Sequence, residues 1–234
     1  MTLRLLFEDA SLAAVDKPAG RIVVPGRGAA EVTVREEAEA RLGKLWVVHR
    51  LDRGTSGVLL FARTAEVHRA ACLAFERHLV SKRYLALVSG ILERELRVEA
   101  PVASGRRGRM RAGPGGRPSS TFVRPLARFP EAPGRAPLTL VEAFPESGRT
   151  HQVRVHLAHL GHPLAVDPDY GGAGPLLLDG RAVLSRTPLH AASIELLHPL
   201  DGRPLRIEAP LPQDMEEAIA AASAVLAPQA SKRG

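Results

Sequence analysis

Residues 49–57 are His49-Arg50-Leu51-Asp52-Arg53-Gly54-Thr55-Ser56-Gly57, a polar segment that contains two glycines. The apolar runs 45–48 and 58–62 flank it. Both runs are short, rich in β-branched, aliphatic or aromatic residues and bounded by turn residues, so each predicts a buried strand. The segment between them is therefore a loop held by two strands, a place where catalytic residues are often found.

Asp52 stands in this loop among three potentially cationic neighbours, His49, Arg50 and Arg53. Positive charge nearby favours the ionised form of a carboxylate. An ionised aspartate in a fixed position can serve as a nucleophile or as a base. The same residues are also consistent with a surface aspartate tied to arginines across a turn.

Length and composition restrict the class of protein. A chain of 234 residues allows one large domain or two small ones. No apolar run approaches the roughly 20 residues that a membrane helix needs. Residues 1–10 include Glu8 and Asp9 and lack a signal peptide, and the single cysteine, Cys72, excludes an intramolecular disulfide. We therefore expect a cytoplasmic protein that does not bind membranes.

Charge is concentrated in one part of the chain, whose overall net charge is +7. Residues 100–130 contain no acid and seven arginines, which are Arg106, Arg107, Arg109, Arg111, Arg117, Arg124 and Arg128. A local basic patch predicts a polyanionic partner, most often nucleic acid, although a solubilising loop has the same composition. The glycine-rich part, 105–118, is too polar to form a core and is predicted to be a flexible arm or a hairpin tip.

The hydrophobic pattern predicts more strands than helices. Predicted strands are 3–7, 12–15, 22–24, 45–48, 58–62, 82–89, 97–102, 121–123, 138–144, 194–197 and 205–209. Predicted helices begin at the caps Thr33, Thr64 and Thr150 and end near 42, 78 and 160, and a closing helix covers 214–226. Many strands are joined by short turns, so the fold class is α+β with a largely antiparallel sheet.

Several motifs occur together and in order along the chain. They are Val15-Asp16-Lys17-Pro18-Ala19-Gly20, His49-Arg50-Leu51-Asp52 with Thr55-Ser56-Gly57, Lys82-Arg83-Tyr84-Leu85-Ala86-Leu87-Val88, Gly148-Arg149-Thr150-His151-Gln152-Val153-Arg154-Val155-His156-Leu157, Gly161-His162-Pro163, Leu189-His190-Ala191, His198-Pro199 and Ala209-Pro210-Leu211-Pro212. In this set the chain resembles the RluA-type pseudouridine synthases from about residue 12 to 215. It departs from them at Val166 and Thr187, where the family commonly has glycine and glutamine.

The resemblance implies a bent mixed sheet with helices on both sides and a central RNA cleft. It also implies isomerisation of uridine to pseudouridine in RNA without a cofactor or a metal. By motif position, Asp52 is the catalytic aspartate, Tyr84 stacks on the target base, Arg154 pairs with the aspartate and Arg50 fills the space that the flipped base leaves. Whether Asp52 attacks C1′ or removes a sugar proton stays open.

The remaining predictions concern RNA binding and organisation. Residues expected to contact RNA are His49, Arg53, Thr55, Lys82, Arg149, His151 and Gln152, together with Arg106, Arg107 and Arg109 of the basic arm. The resemblance implies a structured ribosomal or transfer RNA as the substrate, and we expect a monomer. One catalytic domain, 1–227, without a separate N-terminal RNA-binding domain, would be followed by a disordered tail, 228–234.

Two alternatives compete with this interpretation. A metal-dependent nuclease would use the clustered His151, His156, His159 and His162 with Asp167 and Asp169, but their spacing fits no zinc pattern. The other alternative is a catalytically silent RNA-binding or ribosome-assembly protein with the same fold. The presence of Asp52, Tyr84 and Arg154 argues against it.

Overall fold

The structure is a computed structural model that describes residues 3–26, 31–131, 136–172, 174–178 and 180–224. Its helices are α1 (Val34–Leu42), α2 (Ala65–Glu76), α3 (Gln152–His159) and α4 (Gln213–Ala224). Its strands are β1 (Arg4–Glu8), β2 (Leu12–Lys17), β3 (Trp46–Val47), β4 (Ser56–Ala62), β5 (Ser81–Ser89), β6 (Leu96–Glu99), β7 (Val102–Ser104), β8 (Met110–Ala112), β9 (Ser120–Phe129), β10 (Leu138–Pro145), β11 (Leu176–Leu178), β12 (Arg181–Leu184), β13 (Leu189–Leu197) and β14 (Pro204–Glu208).

A ten-stranded sheet organises the described part of the chain. Eight strands follow the order β1-β2-β4-β13-β5-β10-β9-β6, and β3 and β14 pair with β4 and β13. Neighbouring strands are antiparallel except β4 and β13, which are parallel. The predicted class, α+β with a largely antiparallel mixed sheet, is confirmed. The predicted ends of the domain and of the tail, at 227 and 228–234, lie outside the described residues.

Helices pack on both faces of this sheet, because the central strands are apolar on both faces. Leu59 and Phe61 of β4 lie in a core cluster with residues of α1, whereas Val58 and Leu60 lie in a cluster with residues of α2. The same alternation occurs in β5, where Leu87 lies in a core cluster with residues of α4, whereas Ala86 and Val88 lie in a cluster with residues of α3. This explains why β4 is a continuous apolar run in the sequence.

The parallel pairing of β4 and β13 lies directly below the loop that carries Asp52. Ser56 is paired with His190 and Gly57 with Ala191. Gly57 has φ 114°, and a Cβ placed on it would be only 2.2 Å from the carbonyl oxygen of Ala191. Only glycine fits this close approach of two backbones, which explains the glycine after the Thr55-Ser56 pair.

Two local predictions were wrong for reasons that lie in the tertiary structure. Residues 22–24 are not a strand, because the carbonyl oxygens of Ile22 and Val23 accept the first N–H groups of α1, at 2.9 and 3.2 Å. The N-cap of α3 is His151 and not Thr150, and its backbone is left-handed, with φ 55°. The cap that was predicted at Thr33 is present and forms a capping box with Glu36.

The basic segment forms a small hairpin that joins β7 to β8 through a short 3-10 turn, Arg106–Gly108. The backbone of Arg117 pairs with that of Val102 on the other side of β7. The prediction of a hairpin tip matches this geometry, whereas mobility in the absence of RNA stays a prediction. Within the described ranges, the structure contains no helix that is long and apolar enough to cross a membrane.

Candidate active site

A buried lysine holds the loop that carries Asp52. Lys17, at the end of β2, has no exposed surface. Its Nζ donates hydrogen bonds to the carbonyl oxygens of Thr55, Pro18 and Arg53, at 2.8, 2.9 and 3.2 Å. Burial lowers the pKa of Lys17 to about 7, against an opposing contribution from Asp52. The ammonium group of Lys17 therefore fixes the loop through its backbone oxygens and interacts with the charge of Asp52.

Two side chains from α3 and its N-cap approach the carboxylate of Asp52. Nη1 of Arg154 and Nε2 of His151 each lie 3.8 Å from Oδ2 of Asp52. The structure thus brings together the predicted aspartate and arginine, which are far apart in the sequence. The distance of 3.8 Å is an ionic contact and is too long for a hydrogen bond.

Arg154 makes its short contacts with two other acids. Its Nε and Nη2 donate to the two carboxylate oxygens of Asp167, both at 2.8 Å, and Nη2 also lies 3.0 Å from Asp169. Burial lowers the pKa of Arg154, but the hydrogen bonds and charges of Asp167 and Asp169 outweigh burial and raise it above its usual value. The predicted ion pair of Arg154 with Asp52 is present as this longer contact. Asp167 is an additional and closer partner, which fixes the guanidinium so that its remaining nitrogen faces Asp52.

Tyr84 lies on β5 and faces the same space. It packs at the edge of a core cluster, and its backbone is paired with Ala143 of β10 and Ala191 of β13. Burial, with a smaller contribution from Asp52, raises the pKa of the Tyr84 phenol, so the ring is neutral. A neutral aromatic ring beside Asp52 is suited to stacking on a base.

The space is an open cavity of about 580 Å³. A second recess of about 80 Å³ adjoins it and reaches His151 and Arg154. Both spaces are lined by Arg50, Asp52, Lys82, Tyr84 and Arg149. Four predicted site residues therefore meet Asp52 in one cleft, and three of the four are basic.

Some of the predicted RNA contacts have other partners in the structure. Nε2 of His49 accepts the N–H of Leu60 at 3.1 Å, and its ring stacks on Phe75. Burial lowers the pKa of His49 to about 3, so the ring is neutral. Gln152 is buried and bonds to Ser147 at 2.7 Å. These contacts favour support of the loops over direct contact with RNA.

The other predicted contacts differ in their burial and in their partners. Lys82 donates to the carbonyl oxygen of Ser147 at 2.9 Å, and burial lowers its pKa to about 8. Arg53 pairs with Glu31, and Arg109 of the hairpin lies 3.2 Å from Asp169. Thr55 is buried and contributes its backbone oxygen to Lys17.

The remaining members of this set lie on the hairpin. Arg106 belongs to its 3-10 turn and is exposed. The side chain of Arg107 lies outside the described residues.

Sequence reasoning assigned no role in the site to four residues that build it, namely Lys17, Asp167, Asp169 and Tyr170. Lys17 was quoted only as part of a motif, although a lysine that ends an apolar strand was a possible signal for a role. The only role considered for the two aspartates was that of metal ligands in the nuclease alternative. Among the described residues, no group of His, Cys, Asp or Glu is arranged to hold a metal ion. Independence from metal stays a prediction.

Comparison with known proteins identifies the family to which this chain belongs. The family model of RNA pseudouridylate synthase matches residues 11–159. Ribosomal large subunit pseudouridine synthase D of Nitrosomonas europaea is 40% identical over 223 residues, which cover 91% of this chain and 63% of the relative. Ribosomal large subunit pseudouridine synthase C of Vibrio cholerae is 38% identical over 221 residues, covering 92% and 68%. This chain belongs to the RNA pseudouridylate synthase family, as its motifs predicted.

Solved structures support the fold. Human RNA pseudouridylate synthase domain containing 1 matches with a TM-score of 0.70 at 24% identity, covering 95% of each chain. Human RNA pseudouridylate synthase domain containing 4 matches with a TM-score of 0.74 at 22% identity, covering 94% of this chain and 93% of the other. The predicted pseudouridine synthase fold is confirmed. The chain spans about two thirds of the length of its curated bacterial relatives, 63% and 68% for the two above.

Proposed function

We propose that this protein isomerises one or more uridines of large-subunit ribosomal RNA to pseudouridine. One observation carries the proposal: Asp52 lies 3.8 Å from the guanidinium of Arg154, in an open cleft that it shares with Tyr84. The names of the bacterial relatives support ribosomal RNA over transfer RNA as the substrate. Asp52, Tyr84 and Arg154 all come from one chain, which supports action as a monomer. RNA modification of this kind is consistent with a cytoplasmic enzyme.

Access to the reacting bond requires base flipping. The glycosidic bond is hidden in a duplex or a folded loop, and extruding a nucleotide costs a few kcal/mol. The cavity of about 580 Å³ provides room for the extruded base. Arg50 is exposed at its rim and can occupy the vacated position, while Tyr84 offers a ring on which the base stacks. These contacts return part of the cost of flipping.

The chemical step requires Asp52 as an anion. The reaction breaks the bond between C1′ and N1, turns the uracil and joins C5 to C1′, so N1 gains a proton and C5 loses one. The guanidinium of Arg154 lies 3.8 Å from Oδ2 of Asp52, and the carboxylate attacks C1′ or removes a proton from the sugar. Stacking on Tyr84 holds the detached uracil without fixing its rotation about the ring normal.

The experiment is pseudouridine mapping of all ribosomal and transfer RNA in a deletion strain, its parent and strains that express the wild-type protein or Asp52→Asn. We expect at least one large-subunit uridine to lose modification on deletion and to regain it with the wild-type protein only. Purified Asp52→Asn should still bind the corresponding RNA fragment. Full restoration by Asp52→Asn would favour a silent assembly protein, and loss confined to transfer RNA would overturn the proposed substrate.

A further inference from the structure

A chain of hydrogen bonds connects the basic hairpin to the surroundings of Asp52. The backbone N–H of Met110, on β8, donates to the hydroxyl oxygen of Tyr170 at 2.9 Å. That hydroxyl lies 2.7 Å from Nδ1 of His151, and the two rings meet edge to face at 5.6 Å. Nε2, on the opposite side of the imidazole, lies 3.8 Å from Oδ2 of Asp52.

The two neighbours of the His151 imidazole favour the same tautomer. The oxygen of Tyr170 accepts the Met110 N–H, and its hydroxyl proton can be donated to Nδ1 of His151. Nε2 faces the carboxylate of Asp52, which only accepts, so a neutral imidazole with its proton on Nε2 suits both contacts. Burial lowers the pKa of His151 in spite of the opposing charge of Asp52, which favours this neutral form.

The geometry around both rings is built from several elements. His151 has φ 55°, a left-handed backbone that is uncommon for residues other than glycine but that histidine, like asparagine and aspartate, adopts more often than the rest. The guanidinium of Arg154 lies 4.8 Å from the centre of the Tyr170 ring. The charges that face His151 are those of Asp52, Arg154, Asp167 and Asp169. His151 is the N-cap of α3, and its imidazole lies among these charges.

The geometry assigns Tyr170 and His151 to one positioning device: the Tyr170 hydroxyl holds His151 with its proton on Nε2, and this N–H steadies the Asp52 carboxylate. The assignment rests on the proposed function. A neutral N–H stabilises the carboxylate without adding a second cation beside Arg154. We expect the contact of 3.8 Å to shorten to a hydrogen bond in the complex with RNA, as catalytic contacts commonly do. His151 was predicted to bind RNA, and this role differs from that prediction.

Two substitutions at position 151 separate positioning from a merely structural role. Glutamine can place an amide N–H where Nε2 lies, whereas asparagine reaches only the position of Nδ1 and keeps contact with Tyr170. We expect His151→Asn to lower the single-turnover rate at saturating RNA by about ten- to hundredfold, and His151→Gln to lower it less. RNA affinity should be nearly unchanged in both. A purely structural role predicts the opposite order, because asparagine tolerates the left-handed backbone better than glutamine.

Nitrogen NMR of histidine-labelled protein tests the tautomer without any need for activity. We expect the wild-type His151 signals to show a proton on Nε2, and Tyr170→Phe to show a mixture of both tautomers. His159 is an exposed histidine on the same helix, and the signals that disappear in His159→Gln belong to it and not to the site. A wild-type proton on Nδ1 would overturn the inference even in an active enzyme. The expected tautomer in a protein that makes no pseudouridine would leave this geometry standing and overturn the proposed function.

Discussion

Asp167 has a larger part in the site than its position in the sequence indicates. It is fully buried, binds Arg154 with both carboxylate oxygens, and its backbone oxygen accepts the N–H groups of Tyr170, Gly171 and Gly172. One residue thus anchors the arginine that faces Asp52 and shapes the loop that carries Tyr170. Removing a single partner from such a buried pair leaves a charge without compensation.

We therefore predict that Asp167→Asn lowers the free energy of unfolding by about 3 kcal/mol or more. Asp169→Asn is the matched control, because Asp169 is partly exposed and also contacts Arg154. Because Asp169 is open to solvent, its pairing with Arg154 should contribute only about 1 kcal/mol, so the control should stay closer to the wild type. Denaturant unfolding of the three proteins measures the difference. Equal losses in both variants would show that burial of the Asp167–Arg154 pair is not decisive.

Tyr84 permits a prediction about recognition of the flipped base. Tyr84→Phe keeps the ring and should keep affinity for the target RNA, whereas Tyr84→Ala should lose about 1–3 kcal/mol of binding together with turnover. Leu160→Ala is a control for loss of packing, since Leu160 packs against the same core cluster without lining the cleft. Fluorescence anisotropy with a target fragment and single-turnover assays give the two quantities. If Tyr84→Ala binds as well as the wild type, Tyr84 is only a core residue.

At the scale of elements, the hairpin β7–β8 combines exposed arginines with contacts to the site. Arg109 pairs with Asp169, and the backbone of Met110 bonds to Tyr170. A groove of about 390 Å³ separates the hairpin from the loop of Gly148 and Arg149. An RNA strand that enters this groove would meet basic side chains on both walls.

The triple variant Arg106→Ala, Arg107→Ala and Arg109→Ala should therefore bind RNA more weakly and with a flatter salt dependence. Each lost phosphate contact reduces the log–log salt slope by about 0.7 to 0.9. The affinity should fall for target and other RNA alike, because backbone contacts position without reading sequence. Arg41→Ala serves as the control, because Arg41 is an exposed arginine on α1 that lines neither the cleft nor the groove beside the hairpin. An unchanged slope in the triple variant would identify the hairpin as a solubilising element.

The sequence predicted the elements that follow a local pattern and missed contacts that depend on the tertiary structure. Capping at Thr33 and the apolar run of β4 are local features, and both were predicted correctly. The run 22–24 has the pattern of a strand, but its carbonyl groups serve α1. No local sequence pattern shows that α1 is the hydrogen-bond partner of these residues.

The same distinction holds for the site. The motifs placed Asp52, Tyr84 and Arg154 in one cleft, and the structure brings them there. The closest partner of Arg154 could not be predicted, because three aspartates were available to it and only the path of residues 164–172 decides among them. The proton position on His151 likewise depends on a hairpin that lies about 40 residues earlier in the chain.

At the scale of the whole molecule, the buried Lys17 links stability to pH. Its pKa is about 7 in the folded protein and 10.5 in its ordinary state. Between these values the unfolded chain binds more protons, so the free energy of unfolding should rise with pH through this window. Lys17→Met should flatten this rise, whereas Lys44→Met, at an exposed lysine, should not. Denaturant unfolding between pH 7 and 10 measures the slopes, and equal slopes in all three proteins would exclude a role for Lys17.

The parallel pairing of β4 with β13 also determines when the site can be completed during synthesis. Ser56 and His190 are 134 residues apart in the chain, and their side chains bond at 3.0 Å directly below the Asp52 loop. Pairings between such distant segments are slow to form, and a chain folds from its N-terminus as it leaves the ribosome. Asp52, Tyr84 and Arg154 are all synthesised well before β13 is. A nascent chain synthesised only as far as residue 188 therefore carries Asp52, Tyr84 and Arg154 but lacks the strand between β4 and β5, so the site cannot be completed until β13 has been made.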